Sequence, residues 1–519
     1  MIGMLCRFHK IVKFIIFTTA FFFAGSTDLK SQYYQQMLFI DSLDSYEEII
    51  QKSAWVVPDE RQLKWQQLEL TAFIHFGMNT FTDREWGDGS ESPGTFNPTQ
   101  IDVSQWITTL KKSGFRQVIF TAKHHDGFCL WPTSTTKHSV KYTPWANGEG
   151  DVVRQVADAC WKHNIGFGIY LSPWDRNAPT YGSDAYNDLF VAQLSELLTR
   201  YGEIAEVWLD GANGADANGK KQNYDFARWF KVIRQLQPEA TIAIMGPDIR
   251  WVGTETGAGR ETEWSVIPAY GRPLAEEMQK YQNLKIFSPL GDLTAASMWE
   301  NTEMLEKATA LIWYPAETDV SIRPGWFFHS TENERVKTGA EIFNIYMTSV
   351  GRNGTLLLNV PPGPEGKIHV NDSISLADFK LLYDHTFYRN YVDKIFYRGD
   401  NITESCTDRA IHTDFHLTDN DTAAVYIYTS EDEAIDLLMV QENIAKGQRI
   451  AGFTLECKNV SGQWEQVCKG TTIGYKRLLS FEKRKSKIWR FKILSSRDVP
   501  NIAEIGLYRI GKKESNQRR

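Results

Sequence analysis

The sequence predicts an α/β protein, a (β/α)8-type barrel followed by a C-terminal β-sandwich domain. Three observations predict it. Between about residues 60 and 390, short continuous apolar runs alternate with amphipathic helical patterns. Such runs suit parallel strands covered on both faces. The rival, an open doubly wound sheet, lacks support because no GxGxxG follows the first run. After about residue 395 the texture shifts to short alternating segments broken by turn residues, the period of antiparallel strands.

The elements follow in order. Arg7, Lys10 and Lys13 precede the apolar run FIIFTTAFFFAG and the small-residue stretch AGST. That is the pattern of a secretory signal, assigned to residues 1–32. The run is shorter than the ~20 residues a membrane span needs. The mature chain is therefore expected without a span and exported, to the periplasm or outside the cell. The barrel is assigned to 33–392. Its strands read as TAFIHFGMN (71–79), QVIFTAKH (117–124), GFGIYLSP (166–173), EVWLDGA (206–212) and ATIAIMG (240–246). A run around 263–268, KATALIWYP (307–315) and GTLLLNVPPGPEG (354–366) bring the series to eight. Between strands, DVSQWITTLKKSG puts Val103, Trp106, Ile107 and Leu110 on one face and ends at Gly114. DVVRQVADACWKHNIG opens on Asp151 as a candidate N-cap. ADFKLLYDHTFYRNYVDK (377–394) reads as a helix joining the two domains. The sandwich is assigned to 393–512 and a disordered tail to 513–519.

Composition narrows the function. The formal charge is −7, and residues 1–32 hold four basic groups against one acidic, so the mature chain stands near −10. An acidic exported chain with no basic block argues against nucleic acid as partner. Five cysteines remain after Cys6 leaves with the signal: Cys129, Cys160, Cys406, Cys457 and Cys468. No CxxC occurs, which argues against zinc, while Cys457 and Cys468 are candidates to pair in an oxidising compartment. The sequons at Asn353 and Asn371 matter only in a host that glycosylates.

The chemistry is expected at the C-terminal ends of the strands, which form the mouth of a parallel barrel. His75 ends the first strand, and His124, His125 and Asp126 end the second. Tyr170, Ser172 and Trp174 end the third, and Asp210 the fourth. Asp126 reads as a loop cap or a partner orienting a histidine. A metal reading fails on strand alternation, which would send His124 and His125 to opposite faces. No GxSxG supports a serine nucleophile. No metal or cofactor is expected. Carboxylates, histidines and indoles at a barrel mouth suit glycoside cleavage, which needs one carboxylate as nucleophile and one as proton donor.

FIHFGMNTFTDREWGDG, TAKHHDGFCLWPT, GIYLSPWD, EVWLDGA, PDIRWVGTETGAGRETEWSV and DVSIRPGWF resemble, in the same order, the α-L-fucosidases of glycoside hydrolase family 29. The likeness covers about 60–390, and RWVGTE and SIRPGWF resemble the branch acting on α-1,3/4-linked fucose. The resemblance implies an exo-acting, retaining double displacement on fucosylated oligosaccharides or glycoconjugates of Lewis type. It implies Asp210 as nucleophile and Glu255 as acid/base, with Glu261 and Glu263 as nearby rivals. Two oxygens ~5–5.5 Å apart across the scissile bond fit that route. Trp251 and Trp264 are expected as apolar neighbours that raise the acid's pKa. His75, Glu85, His124 and His125 match hydroxyl-binding positions of the family. Trp86, Tyr170 and Trp208 match positions lining its sugar pocket, and Trp326 or Phe327 is expected to meet the C6 methyl. The alternative is a non-catalytic binder of fucosylated glycans on the same scaffold. Trp464 and Trp489 in the sandwich are read as core or interdomain contacts before a glycan site.

Overall fold

The computed structural model describes residues 35–215, 219–269, 308–410, 412–417, 424–430 and 433–511. The expected signal at 1–32 and tail at 513–519 lie outside them. Among the described residues, eight parallel strands build the barrel: β1 Leu70–Ile74, β2 Gln117–Lys123, β3 Gly166–Leu171, β4 Glu206–Leu209, β5 Thr241–Ile244, β6 Arg250–Trp251, β7 Ala316–Ser321 and β8 Thr355–Asn359. They pair in the order β5-β4-β3-β2-β1-β8-β7-β6. A bridge between Met245 and Arg250 joins the two ends, so the barrel is nearly closed.

Alternation along each strand divides two cores. Phe73, Ile119, Tyr170, Trp208, Ala243 and Leu357 point inward and pack together as the barrel's filling. Their neighbours Ile74, Val118, Ile169, Val207, Ile242 and Leu356 pack outward against the helices. The helix Val103–Lys112 buries the expected face, and the Asp102 carboxylate accepts the Gln105 amide at 3.0 Å. The helix Val152–His163 is capped in the same way by Asp151, which accepts from the Arg154 amide at 2.8 Å. Each cap satisfies an orphan amide of the first turn.

Two barrel strands differ from the sequence reading. Val266–Ala269 and Ala310–Trp313 pair antiparallel with each other, and Met37–Phe39 completes a small three-stranded sheet outside the barrel. The sixth and seventh barrel strands are Arg250–Trp251 and Ala316–Ser321 instead. The physical reason is composition. One has only two residues, and the other reads AETDVS with Glu317, Asp319 and Ser321 on its inner face. Neither forms the apolar run that marks a buried strand.

The C-terminal region packs a six-stranded antiparallel sheet on a three-stranded one. Trp489 lies between them, buried beside Phe491, Ile427 and Leu438. Cys457 faces Glu465 across the ladder, and Cys468 faces Leu455. This register keeps the two thiols apart, and all five described cysteines are free, which corrects the expected pairing. The Asn353 amide is buried and donates to the Glu263 carbonyl at 3.1 Å, so folding removes that sequon from reach. No helix among the described residues is long and apolar enough to cross a membrane.

One buried ion pair fixes the loop after β7. Arg323 donates to both oxygens of Asp372, at 2.9 Å through Nε and 2.5 Å through Nη2, with both side chains fully buried. Removing one partner leaves an uncompensated charge in the interior. Asp372→Ala is expected to cost about 3–5 kcal/mol in equilibrium unfolding by urea. The double change Arg323→Met with Asp372→Leu is expected to cost much less, because no lone charge remains.

Candidate active site

The barrel mouth collects the expected groups, but through different geometry at the paired histidines. β2 ends at Lys123, so His124 and His125 lie beyond the regular strand and its alternation does not apply. Their rings stand side by side with centroids 4.1 Å apart. The His75 ring lies 5.6 Å from His124, and Phe327 stands edge-on to both at 5.3 and 5.0 Å. The opposite-face argument is thereby corrected. All three imidazoles are buried, and burial pushes each below its ordinary pKa, His75 to about 3. They are neutral rings at neutral pH.

Asp210 follows β4 directly. Its Oδ2 accepts from the Tyr170 hydroxyl at 3.0 Å, and Oδ1 accepts from the Ala212 amide at 2.7 Å. His125 Nε2 stands 3.9 Å from Oδ2. Donors on both oxygens fix the carboxylate's plane and stabilise its charge. The opposing carboxyl is Glu255, in the loop after β6 and open to solvent at the rim. Partial burial and the charges of Asp210 and Glu85 push it above the ordinary carboxylate range, against a hydrogen bond from Trp326. That bond runs from the Trp326 indole N–H to Glu255 Oε2 at 3.3 Å.

The rivals of Glu255 are engaged elsewhere. Glu263 is buried in a pair with Arg250, and Glu261 pairs with Arg352 and Arg477. Trp264 does not join the pocket. The Arg497 guanidinium lies over its ring at 3.4 Å, and its carbonyl accepts from Arg250 at 3.1 Å. Trp251 lies on β6, with its indole donating to Asp319 Oδ1 at 2.7 Å.

Glu85 is bound to the loop after β7. Its Oε2 accepts the Trp326 amide at 2.8 Å, and Oε1 accepts the Phe327 amide at 3.1 Å and faces His329 Nε2 at 2.8 Å. His329 also meets Asp83 at 2.6 Å through Nδ1. Burial lowers its pKa, but the two carboxylates outweigh that and raise it overall. His329 was not singled out in the sequence, since nothing in HSTENER marks it. Trp86 is exposed at the rim, edge-on to His125 at 6.0 Å. Trp208 packs the floor, stacked on Tyr170 at 5.3 Å, with its indole donating to Glu317 Oε1 at 2.8 Å. Asp126 caps its loop, accepting the Phe128 amide at 2.7 Å, and burial raises it to about 7. Among the described residues no three His, Cys, Asp or Glu side chains converge as metal ligands.

The arrangement is a pocket with neutral imidazoles on one wall and aromatic rings on floor and rim. A donor-supported carboxylate shares the mouth with a carboxyl that its charge helps to raise above the ordinary range. That pair can attack an anomeric carbon and protonate its leaving oxygen.

Known proteins share this chain's sequence and shape. The α-L-fucosidase family model matches residues 42–380. Alpha-L-fucosidase 1 of Arabidopsis thaliana is 41% identical over 467 residues, 87% of each chain. A Bacteroides ovatus protein of solved structure, assigned as an α-L-fucosidase, is 45% identical with a TM-score of 0.82, covering 94% of this chain and 80% of that one. A Ruminococcus gnavus glycoside hydrolase family 29 fucosidase, solved in complex with fucose, is 31% identical with a TM-score of 0.75 over 88% of this chain and 95% of its own. A glycoside hydrolase by these likenesses, the chain belongs to the α-L-fucosidase family, glycoside hydrolase family 29.

Proposed function

We propose that this protein is an exo-acting, retaining α-L-fucosidase that removes terminal α-1,3/4-linked L-fucose from branched, Lewis-type glycans. The observation that carries the reading is the pair of unlike carboxyls. Asp210 is held by two donors, and Glu255 is pushed towards its protonated form partly by the charge of Asp210. Two acidic groups whose surroundings separate their protonation states divide the acid and nucleophile roles.

In the first step an oxygen of Asp210 attacks C1 of the fucosyl unit. Glu255 gives its proton to the departing glycosidic oxygen, and a fucosyl ester forms on Asp210. In the second step Glu255, now ionised, takes a proton from water as the water oxygen attacks C1. The ester breaks, fucose leaves with its configuration retained, and Glu255 is again the acid. Trp326 holds the Glu255 carboxyl through one oxygen, which leaves the other to carry the proton. Trp326 and Phe327 offer an apolar wall for the C6 methyl beside His75. The fucose bound in the R. gnavus relative supports the substrate class. RWVGTE and SIRPGWF support the linkage, and residues 1–32 support export. The presence of both carboxyls favours catalysis over a binding-only role.

Asp210→Ala is expected to lower kcat on an aryl fucoside by roughly 10^4-fold or more. Added azide should restore turnover as the fucosyl azide. A folded variant with no rescue would overturn the nucleophile assignment. Side-by-side digestion of Lewis-type and α-1,2-fucosylated oligosaccharides should release fucose from the first and little from the second.

The pH profile carries a sign. Glu255 serves as acid only while protonated, so activity falls as pH rises through its pKa. The raised pKa extends activity above the pH an ordinary glutamate would allow. Trp326→Phe removes a bond that favours the ionised form, so the basic limb of kcat/KM should move to higher pH. A shift to lower pH would contradict the bond.

A further inference from the structure

We propose that Asn359, Asn79 and Ser172 set the tautomers of His75, His124 and His125, so that the three rings offer the sugar an acceptor, a donor and an acceptor in turn. This rests on the reading of the pocket as a fucose site. A neutral imidazole has one N–H and one lone pair, and the partner on one nitrogen decides what the other presents. Here each partner's own direction is fixed by a backbone carbonyl, which can only accept.

At His75 the logic runs through β8. The Asn359 amide nitrogen donates to the Trp326 carbonyl at 2.8 Å and to Ser321 Oγ at 2.9 Å. Its Oδ1 is therefore the atom facing His75 Nδ1 at 2.9 Å, and it also accepts the His75 backbone amide at 3.3 Å. His75 Nδ1 must donate, which leaves a lone pair on Nε2. At His125 the Ser172 hydroxyl donates to the Trp174 carbonyl at 2.6 Å. Its one proton is committed, so it accepts from His125 Nδ1 at 2.7 Å. His125 Nε2 is again a lone pair. At His124 the direction reverses. The Asn79 amide nitrogen donates to the Glu85 carbonyl at 3.2 Å and faces His124 Nδ1 at 3.4 Å. His124 Nδ1 accepts, and the proton sits on Nε2.

The tautomer at His125 bears directly on Asp210. Its Nε2 lies 3.9 Å from the Asp210 carboxylate. An N–H there would clasp the carboxylate and draw off its charge, whereas a lone pair leaves it free. Two hydroxyls of the substrate must donate and one must accept. A sugar lacking one of them leaves a buried polar nitrogen unmatched, a strong ground for rejection. Asn359, Asn79 and Ser172 are positioning residues, since they act through the imidazoles.

The test reads the tautomers themselves. Long-range 1H–15N spectra of the full chain labelled at histidine should show His75 and His125 as Nδ1–H and His124 as Nε2–H, with each ring assigned from its His→Gln variant. Ser172→Ala should move His125 towards Nε2–H and lower kcat/KM about 10- to 100-fold. Ser172→Thr should restore both. Asn79→Asp places a carboxylate on His124 Nδ1 and should convert it to Nδ1–H. A wild-type His125 seen as Nε2–H or as imidazolium at pH 7 would overturn the proposal, as would an unchanged tautomer in folded Ser172→Ala. If Asn79→Asp does not fold, the wild-type and Ser172 spectra decide alone. Tautomers as assigned in a protein that releases no fucose would sink the functional reading and leave this one standing.

Discussion

A carboxyl buried inside a barrel must be given hydrogen-bond donors, and β7 buries two of them. Glu317 and Asp319 face inward below the pocket, and burial pushes both far above the ordinary range. Glu206 on β4 is raised as well, and its proximity to Glu317 disfavours ionising both. These groups stay protonated because three charges in one apolar interior would go unpaid by any cation. One oxygen of each takes a donor: Trp208 on Glu317, Trp251 on Asp319, and Trp65 with Gln117 on Glu206. Ser321, next along the same face, accepts from Asn359, which in turn holds His75. One strand with period-two polarity therefore orients the floor, the loop that carries Glu255 and the His75 imidazole.

The loop that carries Glu255 is held at both ends. Val252 and Gly257 donate backbone bonds to the Glu317 and Asp319 carbonyls at 2.9 and 3.0 Å, which ties the near end to β7. The far end, residues 261–265, is gripped by the sandwich. Arg477 pairs with Glu261, Arg497 covers Trp264, and Gln448 donates to the Glu263 carbonyl at 2.9 Å. The C-terminal sheets thus support the barrel at the segment after Glu255. Glu255 itself lies between the two β7-bound residues Val252 and Gly257, and among the described residues Trp326 is its hydrogen-bond partner.

Much of this was legible in the sequence, and each exception has a physical cause. Strands rich in apolar residues announced themselves, as did helices with Asp at the N-cap. The residues just past β1 to β4 could be assigned to the mouth because those strands were placed. AETDVS was passed over because a strand that lines a functional interior is polar where a structural strand is apolar. His124 and His125 were set apart by a rule that holds only within a strand, and the strand stops one residue earlier. Trp264, expected beside Glu255, lies elsewhere, and nothing in the pattern marks His329. Their partners, Arg497 and the pair Asp83 and Glu85, are brought to them only by the closed fold.

On the proposed reading, the pocket's selectivity follows from keeping its imidazoles uncharged. An imidazolium donates from both nitrogens and would bind any acceptor, including Asp210 itself. A neutral ring held by a directional partner offers one role only, and burial supplies the neutrality. The Tyr170 hydroxyl and the Ala212 amide each donate to one oxygen of Asp210 and so fix the orientation of its carboxylate. On the proposed reading, neutral, oriented imidazoles beside the carboxylates of Asp210 and Glu85 separate recognition of hydroxyls from the chemistry at C1. The first calls for many weak directional contacts, and the second calls for a carboxylate held in a fixed orientation.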